Sequence, residues 1–173
     1  MVKRPITPAI DEKTGENNLR RAALSPIALD IRRGTIRSLT RAGYACLVEV
    51  PLPNHRRADI FAIEKDGRCC IIEVKSGLPD FKSDQKWQNY LEFCDEFYFA
   101  VAPDFPVEEI PAETGLIIAD AYRAEIIRPS PISAMAPQRR QALLRKIARL
   151  GALRLTEIND PSLKTGLING EDG

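Results

Sequence analysis

Residues 57–75 read RADIFAIEKDGRCCIIEVK. Two apolar runs flank Lys65-Asp66-Gly67. Runs of this length, rich in Ile, Val, Phe and Cys and bounded by turn residues, predict strands over 57–64 and 68–75, joined as a hairpin. Three charges interrupt the runs: Asp59, Glu73 and Lys75. Burying a charge in such a strand costs several kcal/mol unless it is paired or bound to a metal. These three residues therefore carry the most information in the chain. The bland alternative is a buried ion-pair cluster, which is a poor stabiliser of apolar strands.

Glu73 and Lys75 are two apart on a strand and share a face. The place of Asp59 depends on the turn. A two-residue loop at Asp66-Gly67 would pair Asp59 with Val74 and separate the carboxylates. A three-residue loop, closed by Gly67 in the left-handed conformation, pairs Glu64 with Arg68 and sets Asp59 opposite Glu73. Both loops are common, and only the second builds a dicarboxylate site with a lysine beside it. Two carboxylates and a backbone carbonyl form a hard oxygen site suited to Mg²⁺ or Mn²⁺. Such an ion lowers the pKa of a bound water, and a neighbouring ammonium can stabilise a phosphoryl transition state.

Working outward, Ser25-Pro26 is a helix start, and a helix is predicted over 26–42, stopped at Gly43. Ile27, Ile31, Thr35 and Leu39 form its apolar stripe. Arg33, Arg37 and Arg41 form a row on the opposite face, which is either a solvated surface or a face for the DNA backbone. Further strands are expected over 44–52, 96–102, 115–120 and 124–127. Helices are expected over 81–94, with Trp87, Leu91 and Cys94 on one face, and over 138–150, with Leu143, Ile147 and Leu150 inward. Residues 1–24 and 156–173 are expected to be flexible tails around a single domain over 25–155. The order of elements predicts an α/β layered domain.

A net charge of +1 gives no overall electrostatic bias, so any nucleic-acid argument rests on where the charges sit. Cys46, Cys69, Cys70 and Cys94 contain no CxxC pair, and His55 is the single histidine, so a zinc site is not supplied. No apolar run reaches membrane-spanning length and no signal-peptide core follows the N-terminus, so a cytoplasmic protein without a membrane partner is expected.

Asp59 followed by Glu73-Val74-Lys75 resembles the PD-(D/E)xK motif of restriction endonucleases, junction resolvases and repair nucleases. The wider set is similar to MmcB-type DNA repair proteins: RADI at 57–60, IEVKS at 72–76, Asp80-Phe81, Asp84-x-Lys86-Trp87, FYFAV at 97–101 and ADAY at 119–122. The resemblance implies a restriction endonuclease-like αβββαβ core with a mixed central sheet flanked by helices. It implies Asp59, Glu73 and the Val74 carbonyl as ligands of Mg²⁺ or Mn²⁺, Lys75 as the catalytic lysine, and Glu49 as an extra acid near the metal. Arg56, Arg57 and Lys86 join the arginine row as candidate DNA contacts, although Lys86 also reads as plain surface. The implied partners are DNA and other repair proteins, and a homodimer is compatible. Ala58 replaces the motif's proline. Gln85 and Tyr90 are spaced wrongly for the glutamine–tyrosine motif of helicase-linked exonucleases. The expected activity is endonuclease-like hydrolysis of DNA; the alternative is a repair accessory that keeps the fold without cutting.

Overall fold

The computed structural model describes residues 24–83 and 86–163. The expected N-terminal tail up to residue 23, Asp84, Gln85 and the end of the C-terminal tail lie outside them. Helix α1 (Pro26–Arg41) starts as its sequence dictates: the Ser25 side chain accepts the Ala28 N–H at 3.1 Å, and Pro26 occupies the first turn. It ends in a Schellman motif. Gly43, at φ +94°, donates to the Thr40 carbonyl and Tyr44 donates to that of Leu39, both at 3.0 Å.

A mixed sheet follows, in the order β1 (Ala45–Pro51), β2 (Arg57–Ile63), β3 (Cys69–Lys75), β4 (Glu96–Val101), β5 (Gly115–Ala119) and β6 (Ala124–Arg128). Strands β3, β4 and β5 run parallel, and the remaining neighbours are antiparallel. Helix α2 (Leu78–Ser83), a 3-10 helix (Trp87–Phe93) and the long helix α3 (Pro137–Asn159) complete the layers with a short 3-10 turn (Val107–Glu109). The expected α/β sheet flanked by helices is thus the observed one. No described helix is long and apolar enough to cross a membrane.

Each face of the sheet carries its own core. Ile60, Ile72, Val74 and Ile117 face Ala28, Ile31 and Leu39 of α1. On the other face, Phe61, Ile71 and Phe99 pack with the 3-10 helix and α3. There Phe97 stacks on Trp87 and on Tyr90, with ring centroids 5.6 and 5.7 Å apart. Asp95 pins α3 to the sheet: it accepts the Cys69 and Met135 N–H groups and two bonds of 2.7 Å from Arg140. Burial opposes its ionisation, but these donors outweigh burial and hold its carboxyl at about 2.

Three expectations are corrected. Ile27 is exposed and Ala28 takes its place, because a helix turns every 3.6 residues and a strict four-residue stripe drifts off the core. The helix expected over 81–94 is two pieces. The first begins at Leu78, because Asp80 reaches back to accept the Ser76 N–H at 2.9 Å. The second is a 3-10 helix with three residues per turn, so Trp87, Tyr90 and Phe93 point inward and Leu91 is 40% exposed. Helix α3 passes Gly151 and continues to Asn159, overrunning both the predicted stop at 150 and the expected tail from 156. A Cβ at Gly151 would meet nothing, and half-buried Leu153 and Arg154 hold the extra turns against the domain.

Candidate metal and phosphate site

Two loops of the same kind set the site. Glu64 donates to the Arg68 carbonyl and Gly67 to that of Glu64, both at 2.9 Å, closing the three-residue loop Lys65-Asp66-Gly67 with Gly67 at φ +86°. Between β1 and β2, Leu52 donates to the Arg56 carbonyl at 2.7 Å and closes Pro53-Asn54-His55, with His55 at φ +63°. Each loop ends in a left-handed residue, the usual way to turn a three-residue hairpin. Together they align β1, β2 and β3 so that Glu49, Asp59 and Glu73 fall in one row across the sheet.

The β2–β3 ladder stops at Ile60↔Ile72. Beyond it the carboxylates replace the backbone pairing. The Asp59 N–H donates to Glu73 Oε1 at 3.2 Å, and the Val74 N–H donates to Asp59 Oδ2 at 2.8 Å. Glu73 and Lys75 are 4% and 5% exposed. Burial, and then the Asp59 charge, push Glu73 well above the usual carboxylate range, against Lys75, the Asp59 N–H and the Tyr90 hydroxyl. Burial also raises Asp59; the Val74 N–H opposes this, Glu49 adds to it, and Lys75 and Arg57 oppose it. Two close carboxylates held above their ordinary pKa are a pair that a divalent cation would relieve, so the donor set fits Mg²⁺ or Mn²⁺. Among the described residues no three His, Cys, Asp or Glu side chains converge. Among the described residues Asp59 and Glu73 are thus the side-chain donors such an ion would find here, and any further donor would be backbone or water.

Glu49 was expected as an extra acid near these two; its charge does act on Asp59, but its carboxylate is held by two arginines. The residue sits at φ +51°, rare for a non-glycine. Its Oε1 meets Arg32 Nη1 at 3.2 Å and its Oε2 meets Arg57 Nε at 2.6 Å. Arg154 of α3 donates to the Val48 and Glu49 carbonyls and fixes this irregular backbone.

Arg56 and Arg57 do come to the site. The Arg56 guanidinium lies 5.5 Å from the Tyr90 ring centroid, and the Tyr90 hydroxyl donates to the Arg57 carbonyl at 3.3 Å. Asn54 ties the β1–β2 loop to the 3-10 helix through a 2.8 Å bond to the Asn89 carbonyl. Lys86 is exposed just before that helix. The arginine row is not brought in. Helix α1 covers the face of Ile72 and Val74, while Glu73 meets Tyr90 on the other. Arg33 pairs with Asp30 at 3.6 Å, Arg37 donates to the Ala121 carbonyl beyond β5, and Arg41 is exposed at the helix end. Arg32 and Tyr90 are the residues sequence reasoning missed. Arg32 lies outside the four-residue row, and the role of Tyr90 follows from a 3-10 periodicity that the sequence does not announce.

A family model described as DNA repair protein MmcB-like matches residues 15–162. A solved protein of unknown function from Silicibacter pomeroyi is 41% identical, with a TM-score of 0.78; the match covers 84% of this chain and 99% of that one. No curated protein matches the chain.

Proposed function

The chain belongs to the MmcB-like family of DNA repair proteins, and from that premise we propose that it hydrolyses DNA phosphodiester bonds between β2 and β3. The observation that carries this reading is the reciprocal bonding of Asp59 and Glu73 beside Lys75. It supports a place for the chain in the PD-(D/E)xK superfamily. Asp59, Glu73 and the Val74 carbonyl would hold Mg²⁺ or Mn²⁺. When bound, the ion would supply a water of lowered pKa and positive charge against the phosphate. Asp59 and Glu73 are oriented through the N–H groups of each other's strands, and a bound cation would favour their ionised forms against burial. Lys75 orients the water and stabilises the charge that develops on the phosphate oxygens. Arg56, just after the adjoining loop, and Arg57, at the start of β2, hold the strand by its backbone.

The test is a panel of duplex, nicked, branched and single-stranded DNAs incubated with Mg²⁺, Mn²⁺, Ca²⁺ or EDTA. Cleavage is expected with Mg²⁺ or Mn²⁺, weakly with Ca²⁺ and not in EDTA. Lys75→Ala should remove cleavage and spare binding, because the lysine acts on the transition state. The second reading is a repair accessory that binds DNA or a partner without cutting. It is favoured by the burial of Glu73 and Lys75, at 4% and 5% exposure, which leaves a scissile phosphate little access. Absence of cleavage across the panel, with repair intact in cells carrying Lys75→Ala, would establish it over the first.

A further inference from the structure

We infer that Arg32 and Arg57 form a phosphate clamp for the DNA backbone and that Glu49 is its built-in stand-in, occupying the clamp until a phosphate displaces it. The inference rests on the proposed DNA-cutting reading for its ligand, but its geometry is separate from the metal pair.

Two guanidinium groups from different elements converge on one carboxylate. Arg32 comes from α1 and Arg57 from the start of β2, and each takes one oxygen of Glu49, at 3.2 and 2.6 Å. That arrangement is also how arginines hold a phosphate, whose oxygens present the same acceptor geometry with more charge. Two guanidinium groups serve this one carboxylate, and the Asp59 charge nearby offsets part of their excess. Arg57 is half exposed, with 51% of its side chain reaching solvent, so an incoming anion can meet it without disturbing the core.

Location adds to this. Glu49 lies across from Asp59, because Val48↔Ile60 and Val50↔Ala58 flank the position. A phosphate replacing it would sit beside the carboxylate pair, where a neighbouring phosphate of a bound strand would fall. The unusual backbone supports the same role. A left-handed glutamate in an edge strand is strained, and the two carbonyls flanking the distortion are held from outside by Arg154. A solvated edge acid needs neither feature.

The experiment is DNA binding by fluorescence anisotropy over a salt series, using a labelled 20-base-pair duplex in EDTA so that no cutting can occur. Arg57→Gln and Arg32→Gln should each weaken binding and lower the log–log salt slope by about 0.9. Arg57→Lys keeps the charge without the fork and should fall between Gln and wild type. Glu49→Gln removes the competing anion and should tighten binding. Thermal melts confirm that each variant is folded. Unchanged slopes in both arginine variants, weaker binding by folded Glu49→Gln, or no duplex binding by the wild type would each overturn the clamp. Normal clamp behaviour without cleavage in Mg²⁺ would leave the clamp standing and sink only the hydrolytic reading.

Discussion

Asp59 and Glu73 each hold the other's strand: the Asp59 N–H donates to Glu73 Oε1 at 3.2 Å, and the Val74 N–H donates to Asp59 Oδ2 at 2.8 Å. The sheet gives up its own pairing here and leaves two acids facing each other. That arrangement suits a cation and is costly without one.

The cost should appear as a pH dependence. Glu73 and Asp59 have folded pKa values raised above their unfolded ones, so the folded state binds more protons. Metal-free stability should therefore fall as pH rises from about 5 to about 8, by at most roughly 1.4 kcal/mol per pH unit for each proton involved. Asp95 acts the other way, but its contribution is complete above its unfolded pKa and is lost only as pH falls toward about 2. Urea melts in EDTA measure the slope, and Glu73→Gln should flatten it. A slope unchanged by that substitution would refute the repulsion.

Added Mn²⁺ should reverse the penalty. An ion at a hundredfold excess over its Kd stabilises by about 2.7 kcal/mol. The gain in Tm should grow with pH and disappear in Asp59→Asn and Glu73→Gln. At neutral pH those variants should melt above the metal-free wild type. Equal Mn²⁺ shifts in wild type and variants would place the ion elsewhere.

Two glycines should respond in opposite ways to expectation. Gly34 lies inside α1, where Ala normally gains about 0.5–1 kcal/mol. Here a Cβ would stand 1.9 Å from the Asp120 carbonyl oxygen, so Gly34→Ala should destabilise by about 1–3 kcal/mol or more. Gly67 has open space around it but φ +86°, so Gly67→Ala should cost only about 1–2 kcal/mol, from the backbone alone. Chemical denaturation ranks the two, and a neutral Gly34→Ala would show that α1 sits farther from the β5–β6 turn.

Arg154→Met should loosen the strand edge. Charged hydrogen bonds to two carbonyls are worth about 1.5–3 kcal/mol each at most, so a loss of about 1–3 kcal/mol is expected. Amide exchange should rise around Val50 and stay unchanged at Ile72. Uniform exchange across both strands would mean that Arg154 does not act locally.

The triple Arg33, Arg37, Arg41→Ala variant should keep the DNA salt slope of the wild type, because this row, unlike Arg32, does not reach Glu49: Arg33 pairs with Asp30 and Arg37 holds the Ala121 carbonyl. A slope lower by about 0.9 per residue would make this arginine row a DNA face after all.

The local chemistry was legible in the chain because it depends on short range. Ser25-Pro26 starts α1 through a bond three residues away, and Lys65-Asp66-Gly67 closes its hairpin within five residues. From that turn the strand period alone carries Asp59 to Glu73, so the carboxylate pair was present in the sequence once the loop length was chosen. Helix type was less legible, since inward residues at 87, 90 and 93 need a 3-10 turn that the packing of Tyr90 on Phe97 supports.

Sequence by itself determined the α/β order, a left-handed closing glycine at Gly67 once the three-residue loop is chosen, and the charges that had to meet inside the sheet. Tertiary structure alone decided where the other charges went. Glu49 turned to Arg32 and Arg57 because its backbone left the strand region, and Arg154, 105 residues away in the chain, holds that departure in place. Whether Arg32 or its exposed neighbour Arg33 meets Glu49 depends on how α1 lies across the sheet. That is set by contacts between distant segments, such as Gly34 against the β5–β6 turn, which no local periodicity encodes.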